Sequence, residues 1–395
     1  MSRNGMDTSI SNSDGGSGLT PNRWIFAVRV VLKALVLFLL LNLLFALMYP
    51  LPGLGKISAY NLLFPGRQRL PYGDNPSKGY NLSLYNLEAM FASHELEGGS
   101  KPSDEFRVVV IGDSASWGFL LEPDQTLAGY INAAGATLPD GRRVRAYNLG
   151  YPVMSLAKDL LILERVMQYE PDMIVWPLTL ESMPYDKQLF PPLLQNNPQA
   201  VRKLIKTHNL SLDPNAAELE QPSWWERTIV GGRRQLADLL RLQLYGFMWA
   251  ATGIDQDIPE TYTLRQEDLE ADTKFHDLQP PHLQASDLAL DILSAGVELA
   301  GDIPVILINE PMFISQGKNS DIRYNFYYPR WAYDDYRKIM AEESQRRGWW
   351  YLDLWDAVPG SEFTNSAVHM TPAGTQLFAE QVLQAIVSNT LSAPK

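Results

Sequence analysis

The chain has 395 residues, with 33 Lys and Arg against 45 Asp and Glu, for a formal net charge of −12. Nucleic-acid binders normally carry a basic footprint, so this acidic balance argues against a nucleic-acid partner. A hydrophobic share of 46% excludes wholesale disorder. Because cysteine is absent and only five His are present, disulfides, thiolate metal sites and a histidine-rich metal centre are not expected. We predict no metal and no cofactor, so catalysis depends on hydroxyls, carboxylates and a few imidazoles.

The N-terminal region predicts a membrane anchor. Residues 1–23 are rich in Ser, Asn and Gly and predict a disordered head, whereas 24–49 is apolar with Arg29 and Lys33 as its only charges. A bilayer span needs about 20 such residues. The positive-inside rule places the head in the cytoplasm and the remainder outside it, as a single-pass protein of the cell membrane. A cleaved signal peptide is the alternative, although its apolar region is usually shorter.

The rest of the chain predicts one α/β domain. Residues 50–101, rich in Pro, Gly, Asn and Tyr, predict a tether or wrapping segment before a domain at 102–395. Strands alternating with helices favour a three-layer fold, a parallel sheet with helices on both faces. The predicted strands are 106–114, 144–150, 173–177, 304–308 and 350–353, and the predicted helices are 126–134, 155–169, 288–299, 331–347 and 371–391, with Ser155 and Ser286 as N-caps.

The alternation breaks between about 182 and 280, which predicts a mostly helical insertion. It contains Trp224, Trp225 and an apolar stretch at 236–251. A lid, a partner surface, a patch on the bilayer and an ordinary helical subdomain are all compatible with this composition.

Chemically useful residues follow the predicted strands, whose carboxyl ends meet at one crevice. Ser114 comes directly after a Gly-Asp turn, where a nucleophile can lie beside backbone N–H donors, although turns favour these residues anyway. Gly150 ends the second strand and offers an unobstructed N–H. His369 precedes Thr371-Pro372, a helix start, and is placed to act as general base. We expect Ser114 Oγ within about 2.6–3.5 Å of a His369 nitrogen.

These blocks resemble the SGNH, or GDSL-type, hydrolase superfamily over about 100–185 and 300–390. Ser114 in Val-Ile-Gly-Asp-Ser matches the nucleophile block, Gly150 in Asn-Leu-Gly the second, and His369 in Val-His-Met-Thr-Pro the last. The resemblance implies an SGNH-like fold and a serine esterase or O-acyltransferase that works through an acyl-serine. It also implies that Ser114 and Gly150 supply oxyanion donors.

Two positions depart from the family pattern. The Asn of the third block is missing, and Thr179 is the predicted substitute as oxyanion donor. The Asp expected three residues before the histidine is Ser366, preceded by Asn365, and either is a candidate to orient His369. The alternatives for that role are Asp353, Asp356, Glu310 or a backbone carbonyl.

The loop after the fourth strand predicts a substrate-binding surface. Asn309, Glu310 and Arg323 lie near a Tyr-rich stretch at 324–331, a composition common in sugar-binding clefts, although the aromatics can equally pack beneath a long loop. With the anchor, the resemblance implies a cell-envelope glycan or small acylated substrate and a membrane-bound acyltransferase as partner. A plain esterase is an alternative, and so is a degenerate glycan-binding or assembly protein.

Overall fold

The computed structural model describes residues 21–54, 57, 59, 63, 87–92, 94–220, 222–253, 261 and 263–392. Most of the predicted head and of the tether lies outside these residues. The chain forms two compact units, one from Met1–Pro50 and Pro222–Leu236, the other from Leu51–Gln221 and Ala237–Lys395.

The first unit contains helix α1, Pro21–Met48. Its stretch Arg23–Met48, 26 residues, is long and apolar enough to cross a bilayer, a test that a signal sequence also passes. The amide of Asn42 donates to the Phe38 carbonyl (2.9 Å) and accepts from the Val230 N–H (3.1 Å). The Asn42 side chain therefore both donates and accepts a hydrogen bond within this apolar helix and its unit, and the anchor itself stays a prediction.

The second unit is built on a five-stranded parallel sheet. Its strands are β1 Glu105–Val110, β2 Arg143–Asn148, β3 Met173–Leu178, β4 Val305–Asn309 and β5 Trp350–Asp353, in the order β2-β1-β3-β4-β5. The predicted parallel α/β sheet is confirmed. In an open sheet of this order the strand connections reverse direction between β1 and β3, and a ligand crevice opens there beyond the carboxyl ends.

Helices cover both faces of the sheet. The helices of this unit, with the one that begins in the first unit, are α2 Leu51–Leu54, α3 Leu87–Ala92, α4 Ser114–Trp117, α5 Leu127–Ala133, α6 Leu156–Val166, α7 Pro192–Gln195, α8 Pro198–His208, α9 Arg233–Thr252, α10 Leu290–Ala300, α11 Arg330–Arg347 and α12 Pro372–Ser392. Helices α6 and α10 pack on the face that carries Trp176, and α5 and α12 on the face that carries Val110. This confirms the three-layer arrangement.

The predicted helix starts are correct in two of three cases. Ser155 caps α6 by accepting from the Lys158 N–H, and Thr371 accepts from the Gly374 N–H at the start of α12. Ser286 is not a cap, because α10 begins only at Leu290. The chain before α10 is held extended: Leu288 bridges to Pro184, and the Ala289 N–H donates to the Met183 carbonyl.

The insertion is helical in its first part, which contains α7, α8 and α9. From 263 to 284 the described residues form turns and extended chain. Three apolar side chains one or two turns apart on α9, Leu240, Leu244 and Met248, are exposed.

Candidate active site

Ser114 stands at the start of a short helix directly beyond β1. The chain leaves the strand at Gly112, whose φ of 141° suits glycine, and a Cβ there would lie 2.5 Å from Ser116 Oγ. Asp113 then caps α4 by accepting from the Ala115 N–H at 2.8 Å. Ser114 is the first residue of the helix, so its backbone N–H has no intrahelical acceptor. The turn also explains why β1 ends at Val110 rather than at 114.

Ser114 and His369 meet at the carboxyl edge of the sheet. Ser114 Oγ lies 2.9 Å from His369 Nε2, and His369 Nδ1 lies 3.1 Å from Asn365 Oδ1. Because an amide oxygen only accepts, Nδ1 carries the proton and Nε2 is left to accept from the serine hydroxyl. The first separation falls within the expected range. The three side chains form a serine–histidine–asparagine relay whose catalytic role stays a prediction.

A narrow hairpin holds His369 in place. The Thr364 N–H donates to the His369 carbonyl (2.8 Å), and the Thr371 N–H donates to the Glu362 carbonyl (2.8 Å). The Phe119 ring stacks on the imidazole, with centroids 4.6 Å apart. Burial lowers the pKa of His369 to about 4. The ring is therefore neutral at pH 7 and able to accept a proton.

Among the proposed orienting groups, the structure brings Asn365 to the ring. Ser366 is buried. Burial raises the pKa of the Tyr327 hydroxyl, and Ser366 lowers it to a smaller extent. Asp353 accepts from Asn309 Nδ2 (2.8 Å) and pairs with Arg337 (2.7 Å). These carboxylate oxygens are engaged at the β4–β5 end of the sheet.

Glu310, another acid considered for this role, is almost wholly buried. Burial raises its pKa well above the usual range, and the nearby Asp113 and Asp159 carboxylates add to the effect. This environment favours the neutral acid over the carboxylate, and a neutral acid is a poor substitute for the ionised Asp of a serine triad.

The two additional oxyanion donors predicted from sequence are already engaged. The Gly150 N–H donates to Asn148 Oδ1 (3.0 Å). The hydroxyl of Thr179, wholly buried, donates to the Tyr328 hydroxyl (2.9 Å). Both donors thus have partners in this geometry, and their role towards an oxyanion stays a prediction. A glycine is required at position 150 for a steric reason, since a Cβ there would lie 2.4 Å from Trp117 N.

Lys158, a fully buried residue of α6, was not predicted as part of the site. Its Nζ donates to the carbonyls of Gly112 (2.6 Å) and Tyr151 (2.7 Å) and lies 2.7 Å from Asp159 Oδ1. Asp159 Oδ2 in turn accepts from the Trp176 indole at 3.1 Å. The sequence signal that could have indicated Lys158 is a Lys-Asp pair in the first turn of α6, the helix that follows β2.

The predicted substrate-binding residues lie in the interior. Asn309 and Glu310 are at most 1% exposed, and Asn309 joins Asp353 to the Tyr333 hydroxyl. Arg323 is also buried, and its guanidinium donates to backbone carbonyls of Asp272, Asn325, Phe326 and Tyr327. These groups stabilise the loop, so the prediction that they contact substrate is corrected in favour of packing.

Two aromatic residues on that loop do reach the crevice. Tyr327 packs against Ala115 and Val368, the neighbours in sequence of Ser114 and His369. Phe326 is 38% exposed, and its ring centroid lies 4.2 Å from that of Tyr327. Within the described residues, no group of three or more His, Asp or Glu could hold a metal ion.

No protein-family model and no curated protein matches the sequence. A protein described as a GDSL-like lipase from Bacteroides ovatus is 11% identical, with a TM-score of 0.35, over 73% of this chain and 54% of its own length. A carbohydrate acetylesterase family member from Sinorhizobium meliloti is 11% identical (TM-score 0.32), over 73% and 99%. The periplasmic domain of a lipopolysaccharide acetyltransferase from Salmonella ser. Paratyphi A is 10% identical (TM-score 0.33), over 76% and 89%.

The chain thus spans about half the length of the first of these structures. At these identities and TM-scores the matches carry no conclusion about the function of this chain, which is inferred from the geometry of the site itself.

Proposed function

We propose that this protein is a serine acyl esterase or O-acyltransferase that works through an acyl-Ser114 intermediate. One observation carries the proposal: Ser114 Oγ lies 2.9 Å from His369 Nε2, while Asn365 Oδ1 holds the opposite ring nitrogen. A nucleophile, a base and a group that orients the base are the three parts that this chemistry requires.

The steps follow from the positions of these atoms. Ser114 Oγ attacks the ester carbonyl carbon while its proton passes to His369 Nε2. The oxyanion forms beside the first turn of α4, where the Ser114 N–H lacks an intrahelical acceptor. His369 returns the proton to the departing alcohol oxygen, which leaves the acyl group on Ser114. Attack by water then completes hydrolysis, and attack by a sugar hydroxyl completes transfer.

The neutral Asn365 limits the rate. In a serine triad, replacing the acid by its amide lowers turnover by about 10⁴, chiefly through the wrong tautomer. Here the amide presents its oxygen to Nδ1, so the tautomer is the productive one. What is missing is a negative charge to stabilise the imidazolium.

The substrate we propose is an ester-linked acyl group on a cell-envelope glycan, with the catalytic unit outside the cytoplasm and α1 as its membrane anchor. The apolar length of α1 supports the anchor. Phe326 and Tyr327 at the crevice support a sugar, since aromatic rings stack on the apolar faces of sugars. A membrane-bound acyltransferase is the proposed donor for the transfer reaction.

The test is labelling of the full-length protein in detergent with a fluorophosphonate probe. The wild type should react at one serine, and Ser114→Ala should not react. An activated acetyl ester supplied with and without an oligosaccharide acceptor then separates transfer from hydrolysis. If the wild type stays unlabelled, the enzyme proposal is replaced by the alternative of a degenerate glycan-binding protein. The missing triad acid is the observation that favours this alternative.

A further inference from the structure

Lys158 is an ammonium group enclosed by protein on every side, in a chain whose other described lysines are at least partly accessible. A buried charge is unfavourable unless it is paired and hydrogen-bonded. Lys158 Nζ donates hydrogen bonds to two backbone carbonyls and pairs with Asp159 Oδ1 at 2.7 Å. The buried cation therefore has two hydrogen-bond acceptors and one counter-charge.

Two of those oxygens belong to the loops that form the site. Gly112 comes two residues before Ser114, in the turn after β1. Tyr151 follows Gly150, in the turn after β2. The Tyr151 N–H also donates to the Gly112 carbonyl at 2.9 Å. One ammonium thus joins the backbones of both strand ends and ties them to the first turn of α6.

We propose that Lys158 is a positioning residue for Ser114: its two carbonyl contacts fix the loop after β1 against the loop after β2. This inference rests on the proposed function, because it assigns Lys158 to the same site. Lys158 touches neither Ser114 nor His369, so it acts through the backbone. Asp159 neutralises the buried charge and is itself held by the Trp176 indole.

The test separates positioning from general stability with three variants of the full-length protein. Lys158→Met/Asp159→Asn removes the ion pair without leaving an unpaired charge, and Asn can still accept from Trp176. Asp159→Asn alone keeps the lysine. Arg107→Met/Glu105→Gln is the matched control, because it removes a buried ion pair (2.5 Å) from β1, the strand whose other end leads to Ser114.

Two measurements are made on each variant: the rate of fluorophosphonate labelling, and hydrogen–deuterium exchange of residues 112–118 and 149–153. We expect Lys158→Met/Asp159→Asn to label at least about tenfold more slowly and to exchange faster in both loops. The Arg107→Met/Glu105→Gln control should keep the wild-type labelling rate and the wild-type exchange of both loops. This should hold even if its thermal midpoint falls as much as that of Lys158→Met/Asp159→Asn. Asp159→Asn removes the counter-charge and should lower the thermal midpoint, but both carbonyl bonds of Lys158 remain, so exchange in the two loops should stay close to the wild type.

Wild-type exchange in the Lys158→Met/Asp159→Asn variant would overturn the proposal. Equally fast exchange in the Arg107→Met/Glu105→Gln control would also overturn it, because it would show general destabilisation. Equally fast exchange in Asp159→Asn would overturn it too, because it would assign the effect to the ion pair. Exchange does not depend on activity. If wild-type Ser114 proves unreactive, the proposed function fails, while the exchange comparison still decides the role of Lys158.

Discussion

Asn365 Oδ1 lies 3.1 Å from His369 Nδ1, so an amide occupies the place in which a serine triad has a carboxylate. Like a carboxylate, an amide oxygen accepts the Nδ1 proton and aims Nε2 at the serine. Unlike a carboxylate, it adds no negative charge beside the ring. Burial is therefore unopposed, and it lowers the pKa of His369 to about 4.

Asn365→Asp should make Ser114 more reactive, because the new carboxylate stabilises the imidazolium that forms as the serine attacks. We expect labelling at pH 7 to rise by roughly tenfold or more. The acidic limb of the plot of labelling rate against pH should also move. In the wild type labelling falls as the pH drops through about 4, and the variant should lose it at a higher pH, since an adjacent carboxylate raises the pKa of His369.

The measurement is the rate of labelling between pH 3.5 and 9, with Asn365→Ala as control. Alanine removes the acceptor without adding charge, so its rate should fall below that of the wild type. An unchanged acidic limb in Asn365→Asp would show that residue 365 does not act on the ring.

Ser114→Ala and His369→Ala should each remove most ester hydrolysis, and the double variant should be little worse than either. The reason is that the two groups act as one unit across their 2.9 Å contact. Initial rates on an activated acetyl ester give the comparison. Additive losses would mean that the two residues act independently.

Gly150→Ala should destabilise the protein by about 1–3 kcal/mol and slow labelling, because the added methyl meets backbone that has no room to move. Its Cβ would lie 2.4 Å from Trp117 N and 2.6 Å from the Ser116 carbonyl carbon, at the end of the helix that carries Ser114. Gly99→Ala is the control, since a Cβ there meets nothing within 4 Å. Chemical denaturation gives the free energy of unfolding of both variants. Equal values would refute the close packing of Gly150 against the backbone at Ser116 and Trp117.

His276 should contribute stability while its ring is protonated, and this contribution should disappear as the pH rises. Its ring contacts Glu181 and Asp186, at 3.2 Å each, and the hydrogen bond with Glu181 is the main cause of its raised pKa. A raised folded-state pKa gives stabilisation that is complete below the unfolded value of about 6.5 and disappears as the pH rises through the folded value. Burial opposes ionisation of Glu181, but its bonds to His276 and Lys187 lower its pKa overall, so the contact weakens again in strong acid.

Thermal midpoints of the wild type and His276→Gln should therefore differ most near pH 5–6 and converge in the alkaline range. His282→Gln serves as control, since His282 is largely exposed. A difference between wild type and His276→Gln that does not change with pH would contradict the prediction.

The fold and the central pair were predictable because their signals are local. The β-branched run before Ser114 and the helix start after His369 each identify a strand end or loop, and sheet topology brings these together. Ser366 and Asn365 were indistinguishable in sequence, because the hairpin that turns one of them toward the ring is set by pairing between 362 and 371.

The sequence did not show which polar residues near the site are buried. Asn309, Glu310 and Arg323 are polar residues near a strand end, and nothing in their spacing reveals that the Tyr-rich loop covers them. Lys158 resembles a solvated residue on an amphipathic helix until its carbonyl partners from two other loops are known. Long-range contacts of this kind leave no periodic signal.

The hairpin that carries His369 leads directly into helix α12, whereas Ser114 follows the first strand of the sheet and lies 255 residues earlier in the chain. During synthesis the nucleophile therefore emerges long before the base that activates it. A chain still being made has a serine of ordinary reactivity, and the paired site exists only after the final segment has docked. Under the proposed function, translation order by itself would protect the growing chain from premature acylation.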